Sequence, residues 1–137
     1  MNVDCFLDTN ILVYAAAKQE GDDHKRKRAL HLIETENFGL SAQVLQEFYV
    51  TVTRKLEIPL TPDQALEWIE LLETFPCLSI DKSLVKIGVE NSLCYQTSYW
   101  NGAILAAAEA MEATKLFSED LNNGQFYGSV MVCNPFK

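Results

Sequence analysis

Short apolar runs alternate with longer segments of helical spacing along the chain. Cys5-Phe6-Leu7 is a brief apolar run, broken by Asp8-Thr9-Asn10 and followed by a second apolar run from Ile11 to Ala17. A short apolar run bounded by a polar break fits a strand in a sheet covered on both faces. Asn10 suits the N-cap of the helix that follows, so Asp8 is expected where a strand ends and a helix begins. That helix should stop near Lys18, because Glu20-Gly21-Asp22-Asp23 has turn chemistry. A second helix, from about Asp23 to Glu36, has a narrow apolar face of Ala29, Leu30, Leu32 and Ile33.

The alternation continues. Gly39-Leu40-Ser41 reads as a strand, and Ser41 or Ala42 opens a third helix whose stripe is Val44, Leu45, Phe48, Val52 and Leu56. Pro59 ends it, and Thr61-Pro62 starts another helix with proline at its first position. That helix carries Ala65, Leu66, Trp68, Ile69, Leu72 and Phe75, of which Trp68, Ile69, Leu72 and Phe75 are expected to be core rather than a dimer interface. Cys77 to Ile80 is the next strand candidate, and Asp81 caps a helix through Val85, Ile87, Val89 and Leu93. A polar loop, Tyr95 to Ser98, leads to a helix from Tyr99 to about Ala113. Lys115-Leu116-Phe117-Ser118 is a fourth strand, Asn122-Asn123-Gly124 a turn, and Val130 to Cys133 the last strand. Strands alternating with helices predict an α/β fold with a mostly parallel sheet and helices on both faces.

Composition narrows the picture. A length of 137 residues predicts one domain, residues 1–137, and 48% hydrophobic residues allow a real core. No apolar run approaches the roughly 20 residues needed to span a bilayer, and the start lacks the positive region of a signal peptide. The four cysteines form no CxxC pair, and Cys5, Cys77 and Cys133 lie in apolar runs. Reduced thiols in a cytoplasmic protein are expected, with no zinc site and no disulfide frame. The net charge of −8 argues against a wide nucleic-acid footprint. Positive charge gathers locally, however, at Lys25, Arg26, Lys27 and Arg28, a solvated helix face or a local guide for a phosphate backbone.

Four polar residues share one kind of position. Asp8 follows the first strand and Asp120 follows the fourth; Glu47 lies in the second turn of the helix after the second strand. Asn101 lies in the first turn of the Tyr99 helix, on the face of Ile104 and Ala108. In open α/β sheets ligands bind at the carboxyl ends of the strands. Carboxylates that converge there repel unless one takes up a proton or a cation intervenes. Mg²⁺ or Mn²⁺, which prefer oxygen ligands, would be the simplest cation. A purely structural alternative has Asp8 and Asp120 as caps, Glu47 on the surface and Asn101 as a capping amide.

At these residues the chain resembles the PIN-domain ribonucleases, specifically the VapC-like toxins of type II toxin–antitoxin pairs. The matching stretches are Phe6 to Tyr14, Ser41 to Val50, Ser98 to Ala108 and Ser118 to Leu121, with Val132 to Phe136 at the C-terminal end. They run in order over essentially the whole chain. The resemblance implies a three-layer α/β/α fold with a mostly parallel sheet of four or five strands. It implies Mg²⁺- or Mn²⁺-dependent endonucleolytic hydrolysis of RNA, leaving a 5′-phosphate, by a homodimer bound to a cognate antitoxin. Asp8, Glu47 and Asp120 match the family's acidic positions, Ser118 a small hydroxyl beside the last acid, and Asn10 the polar residue of the first motif. Asn101 departs, standing where the family normally carries aspartate. An amide oxygen can coordinate a metal but brings no charge, so activity should be weakened or silenced.

Two rivals follow. The chain could be a catalytically inactive PIN-like module that binds antitoxin or RNA without cutting. An aspartyl-phosphate enzyme is a poorer fit: it needs Asp-x-Asp after the first strand, where this chain has Asp8-Thr9-Asn10, and Lys115 begins its strand rather than ending it.

Overall fold

The computed structural model describes residues 2–137. The Cys5–Leu7 run forms β1, and its burial on both faces is complete, with Phe6 and Leu7 at 0% exposure. α1 (Thr9–Ala16) begins one residue after Asp8, and Asp8 is its N-cap, not Asn10. The reason is local: the Asp8 Oδ1 accepts the Thr9 N–H at 2.7 Å, which starts the helix earlier than the apolar pattern suggests. α2 (Asp23–Thr35) and β2 (Phe38–Ser41) follow. α3 (Ala42–Arg54) is capped by Ser41, and α4 (Pro62–Leu72) by a reciprocal capping box between Thr61 and Gln64.

The third strand is shorter than expected. β3 is only Cys77–Leu78, an edge strand, and Asp81 caps α5 (Lys82–Tyr95) through the Leu84 N–H at 2.9 Å. α5 runs through Tyr95, so the polar connection to α6 (Tyr99–Ala110) is shorter than the composition suggests, and α6 stops before Ala113. β4 (Lys115–Phe117) is followed by β5 (Phe126–Tyr127) and β6 (Val130–Cys133), which form a hairpin. The sheet therefore has six strands rather than four or five. The two-residue β5 has no period to read, and only its pairing with β6 reveals it.

Strand order is β3-β2-β1-β4-β6-β5, with every pair parallel except β5 with β6. From β1 the chain moves out to β2 and β3, then returns to lay β4 on the other side of β1. The crevice at the carboxyl ends of β1 and β4 is thus the switch point of the sheet, where such folds bind ligands. Helices complete the three-layer α/β/α fold. One group is α1 with α2 and α3, and α3 with α4; the other is α5 with α6, and α6 packs on β2, β4 and β6.

α5 and α6 lie unusually close. A Cβ on Gly102 would stand 2.5 Å from the Gly88 carbonyl oxygen, and the Asn91 amide donates to the Gly102 carbonyl at 3.0 Å. This approach uses the small-residue side of α5. Its apolar residues Val85, Ile87, Val89 and Leu93 are exposed. Trp68, Ile69, Leu72 and Phe75 of α4 and its end do belong to the core, Leu72 buried beside Ala65 and the other three half-buried, whereas Leu66 is exposed. All four cysteines are free, Cys5 buried, Cys77 and Cys133 half-buried and Cys94 exposed. No helix among the described residues is long and apolar enough to cross a membrane.

Candidate active site

Asp8 is the centre of the switch-point crevice. Its backbone N–H still pairs with the Phe117 carbonyl of β4 at 3.0 Å, while its side chain is 3% exposed. Oδ1 accepts from Thr9 N–H, and Oδ2 accepts from the buried Ser118 hydroxyl at 2.7 Å. The same Ser118 oxygen accepts the Asp120 N–H at 3.1 Å. One hydroxyl thus ties the first acid to the backbone of the last.

Glu47 comes from α3. Its Oε1 accepts from the Thr9 hydroxyl at 3.1 Å and from the Gln43 amide at 3.3 Å. Gln43 is itself buried, and its amide also donates to the Trp100 carbonyl at 3.1 Å. Gln43 therefore couples Glu47 to the start of α6. Thr9 and Gln43 were not singled out from the sequence. Gln43 stands one turn before Glu47, a spacing that puts both on one helix face; nothing in the sequence marks the Thr9 hydroxyl.

A cavity of about 360 Å³ opens between these elements, lined by Thr9, Asn10, Tyr14, Glu47, Glu119 and Asp120 among others. Asn10 is one of the lining residues, and both polar atoms of its side chain are buried without a hydrogen-bond partner among the described residues. Burial drives the Asp8 carboxyl from 3.8 up to about 6; Ser118 and Thr9 oppose this, and the charges of Asp120 and Glu47 add to it. Among the described residues no lysine or arginine pairs with Asp8, Glu47 or Asp120. The donors are all oxygens, the charge is uncompensated and an amide waits unpartnered, which suits a hard divalent cation. As the side chains stand, no three His, Cys, Asp or Glu residues among those described close to within chelating distance of one point.

Asn101 is half-buried at the start of α6. Its N–H donates to the capping Ser98 hydroxyl, and its amide to Thr97 at 3.4 Å. No hydrogen bond joins it to Asp8, Glu47 or Asp120 among the described residues. The basic cluster is divided. Lys25 donates to Glu119 and to the Tyr14 hydroxyl, each at 3.2 Å, and its ammonium lies 4.9 Å from the Tyr14 ring centre and 5.5 Å from that of Phe136. Tyr14 in turn donates to Glu119 at 2.5 Å, and Arg28 Nε donates to the Pro135 carbonyl at 3.3 Å. Lys27 and Arg28 are exposed, and Arg26 is half-buried.

Carboxylates gathered at the switch point of a parallel sheet define an α/β protein with an acidic cleft. The chain belongs to the PIN domain family, whose family model matches residues 5–126. No functionally curated protein sequence matches it. Among solved structures it is similar to the Mycobacterium tuberculosis toxin VapC20, which cleaves the sarcin–ricin loop, at 15% identity and a TM-score of 0.68, covering 85% of this chain and 91% of that one. A toxin–antitoxin complex from Klebsiella pneumoniae matches at 18% identity and a TM-score of 0.71, covering 96% and 97%. FitAcB from Neisseria gonorrhoeae matches at 20% identity and a TM-score of 0.64, covering 96% and 98%.

Proposed function

We propose that this chain is the ribonuclease toxin of a toxin–antitoxin pair, hydrolysing RNA phosphodiester bonds with Mg²⁺ or Mn²⁺. The observation that carries it is Asp8: a buried carboxylate at the sheet's switch point, near enough to Asp120 and Glu47 for their charges to raise it further. A protein gains nothing in stability from such an arrangement, because burial and like charge both oppose ionisation. Family membership and the toxin and toxin–antitoxin structures it resembles point the same way.

Asp8, Glu47, Asp120 and the Asn101 amide would hold the ion. When bound, it would supply an activated water and neutralise charge on the phosphodiester. The protein's own part is orientation. Ser118 and Thr9 N–H fix both oxygens of Asp8, and Thr9 and Gln43 hold one oxygen of Glu47, leaving Oε2 without a partner among the described residues. Asn10 lines the same cavity, its amide buried and unpartnered among the described residues. Lys27 and Arg28 remain exposed to meet an RNA backbone. A cognate antitoxin and a second copy of the chain complete the assembly, and Val85, Val89 and Leu93, spaced along one face of α5, are the apolar surface for the second copy.

The test is the chain as given beside Asn101→Asp, each incubated with RNA and Mg²⁺, Mn²⁺ or EDTA. Metal-dependent fragments from the aspartate variant, with little or none from the given chain, are expected. Cleavage by neither, on RNA that both bind, would favour a module that binds without cutting.

A further inference from the structure

A second cavity, about 240 Å³, adjoins the acidic one and shares Glu47 and Thr51 with it. It is lined by Gln43, Gln46, Val50, Lys55 and Trp100 as well. Trp100 is 58% exposed, a large apolar plane left in solvent beside the site. The indole is not loosely held. It packs edge-on against Tyr99 with ring centres 5.1 Å apart, and the Gln43 amide that bonds its carbonyl also bonds Glu47. Among the described residues Lys55 is the only cation lining either cavity, and no carboxylate among them forms an ion pair with it.

Resting on the ribonuclease reading above, we propose that this second cavity is a nucleobase subsite: Trp100 stacks on a base flanking the scissile phosphodiester, Lys55 meets an adjoining phosphate, and Gln43 fixes the distance from the platform to Glu47. The chemistry fits the neighbourhood. A phosphodiester approaching three carboxylates is repelled, and the strand needs an attractive hold beside them. Aromatic stacking supplies one that does not depend on charge, and a neighbouring cation adds to it. Stacking is open to any unpaired base, so the occupant is single-stranded or looped RNA.

The chain has two tryptophans, so Trp68→Phe, on the core side of α4, leaves Trp100 as the sole reporter. In EDTA, a short single-stranded oligoribonucleotide should quench its emission, and an abasic ribose-phosphate chain of the same length should not. By anisotropy of a labelled oligonucleotide, Trp100→Ala should bind roughly tenfold more weakly, Trp100→Phe nearly as the parent, and Lys55→Ala with a salt slope flatter by roughly 0.7. RNA that binds with no quenching, and equally well to Trp100→Ala, would overturn the subsite. So would emission that depends on protein concentration, with Trp100→Ala dissociating a dimer, because the indole would then face a second copy. If the chain binds no RNA and Asn101→Asp cuts none, the ribonuclease reading itself falls and the subsite with it.

Discussion

Asp8 is costly to the fold when no cation is near. Its carboxyl rises to about 6 because the ionised form is desolvated, and at neutral pH it is nonetheless forced to ionise. A folded value above the unfolded one means that stability is greatest below the unfolded value and is lost as pH rises through about 6. Asn at this position can still accept from Thr9 N–H and donate to Ser118. Asp8→Asn should therefore raise the melting temperature of the metal-free protein by several degrees at pH 7.5, with the gain vanishing near pH 4. Calorimetry in EDTA at both pH values checks this; a lower melting temperature at pH 7.5 would mean that the hydrogen bonds outweigh the charge. The places of Asp8, Glu47 and Asp120 were legible in the sequence because two follow strand ends and Glu47 lies in the second turn of the helix after β2. The orphaned Asn10 amide and the Thr9 and Gln43 bonds were not, because they depend on helices meeting across the sheet.

At the level of elements, the loop after β4 is held from outside the sheet. Lys25 on α2 and Tyr14 on α1 both grip Glu119, the residue before Asp120, and Phe136 lies over the same ammonium. Lys25 and Glu119 are each about a quarter exposed, so their pairing is worth on the order of 1 kcal/mol, and the position it gives the loop matters more. Glu119→Gln should lower stability by roughly that amount and weaken Mn²⁺ binding several-fold, read by calorimetric titration. Unchanged Mn²⁺ affinity would show that Ser118 alone positions Asp120. Lys25→Met should cost stability with little effect on the salt dependence of RNA binding, whereas Lys27→Glu with Arg28→Glu should flatten it. Sequence reading grouped these cations because they are adjacent in the chain. A helix turns each side chain about 100° from the last, so neighbours in sequence serve different surfaces.

For the whole molecule, the alternation of strands and helices made the parallel sheet legible. The hairpin of β5 with β6 was not, since two residues carry no periodicity. The side that α5 turns inward was not legible either: a helix pattern shows an apolar face but not which side a close neighbour takes, and Gly88 and Gly102 decided that. The exposed face predicts self-association. Leu93→Asp with Val89→Asp should shift sedimentation towards the monomer while leaving the melting temperature of the monomer nearly unchanged; an unaltered sedimentation profile would place any dimer contact elsewhere. The order of strands has a further consequence in time. β1 leaves the ribosome long before its neighbour β4, which pairs Lys115 with Cys5, and Asp120 follows that strand. Long-range parallel pairing of this kind forms late. A partly synthesised chain therefore holds Asp8 and Glu47 without Asp120, and the proposed site is complete only when synthesis is nearly over.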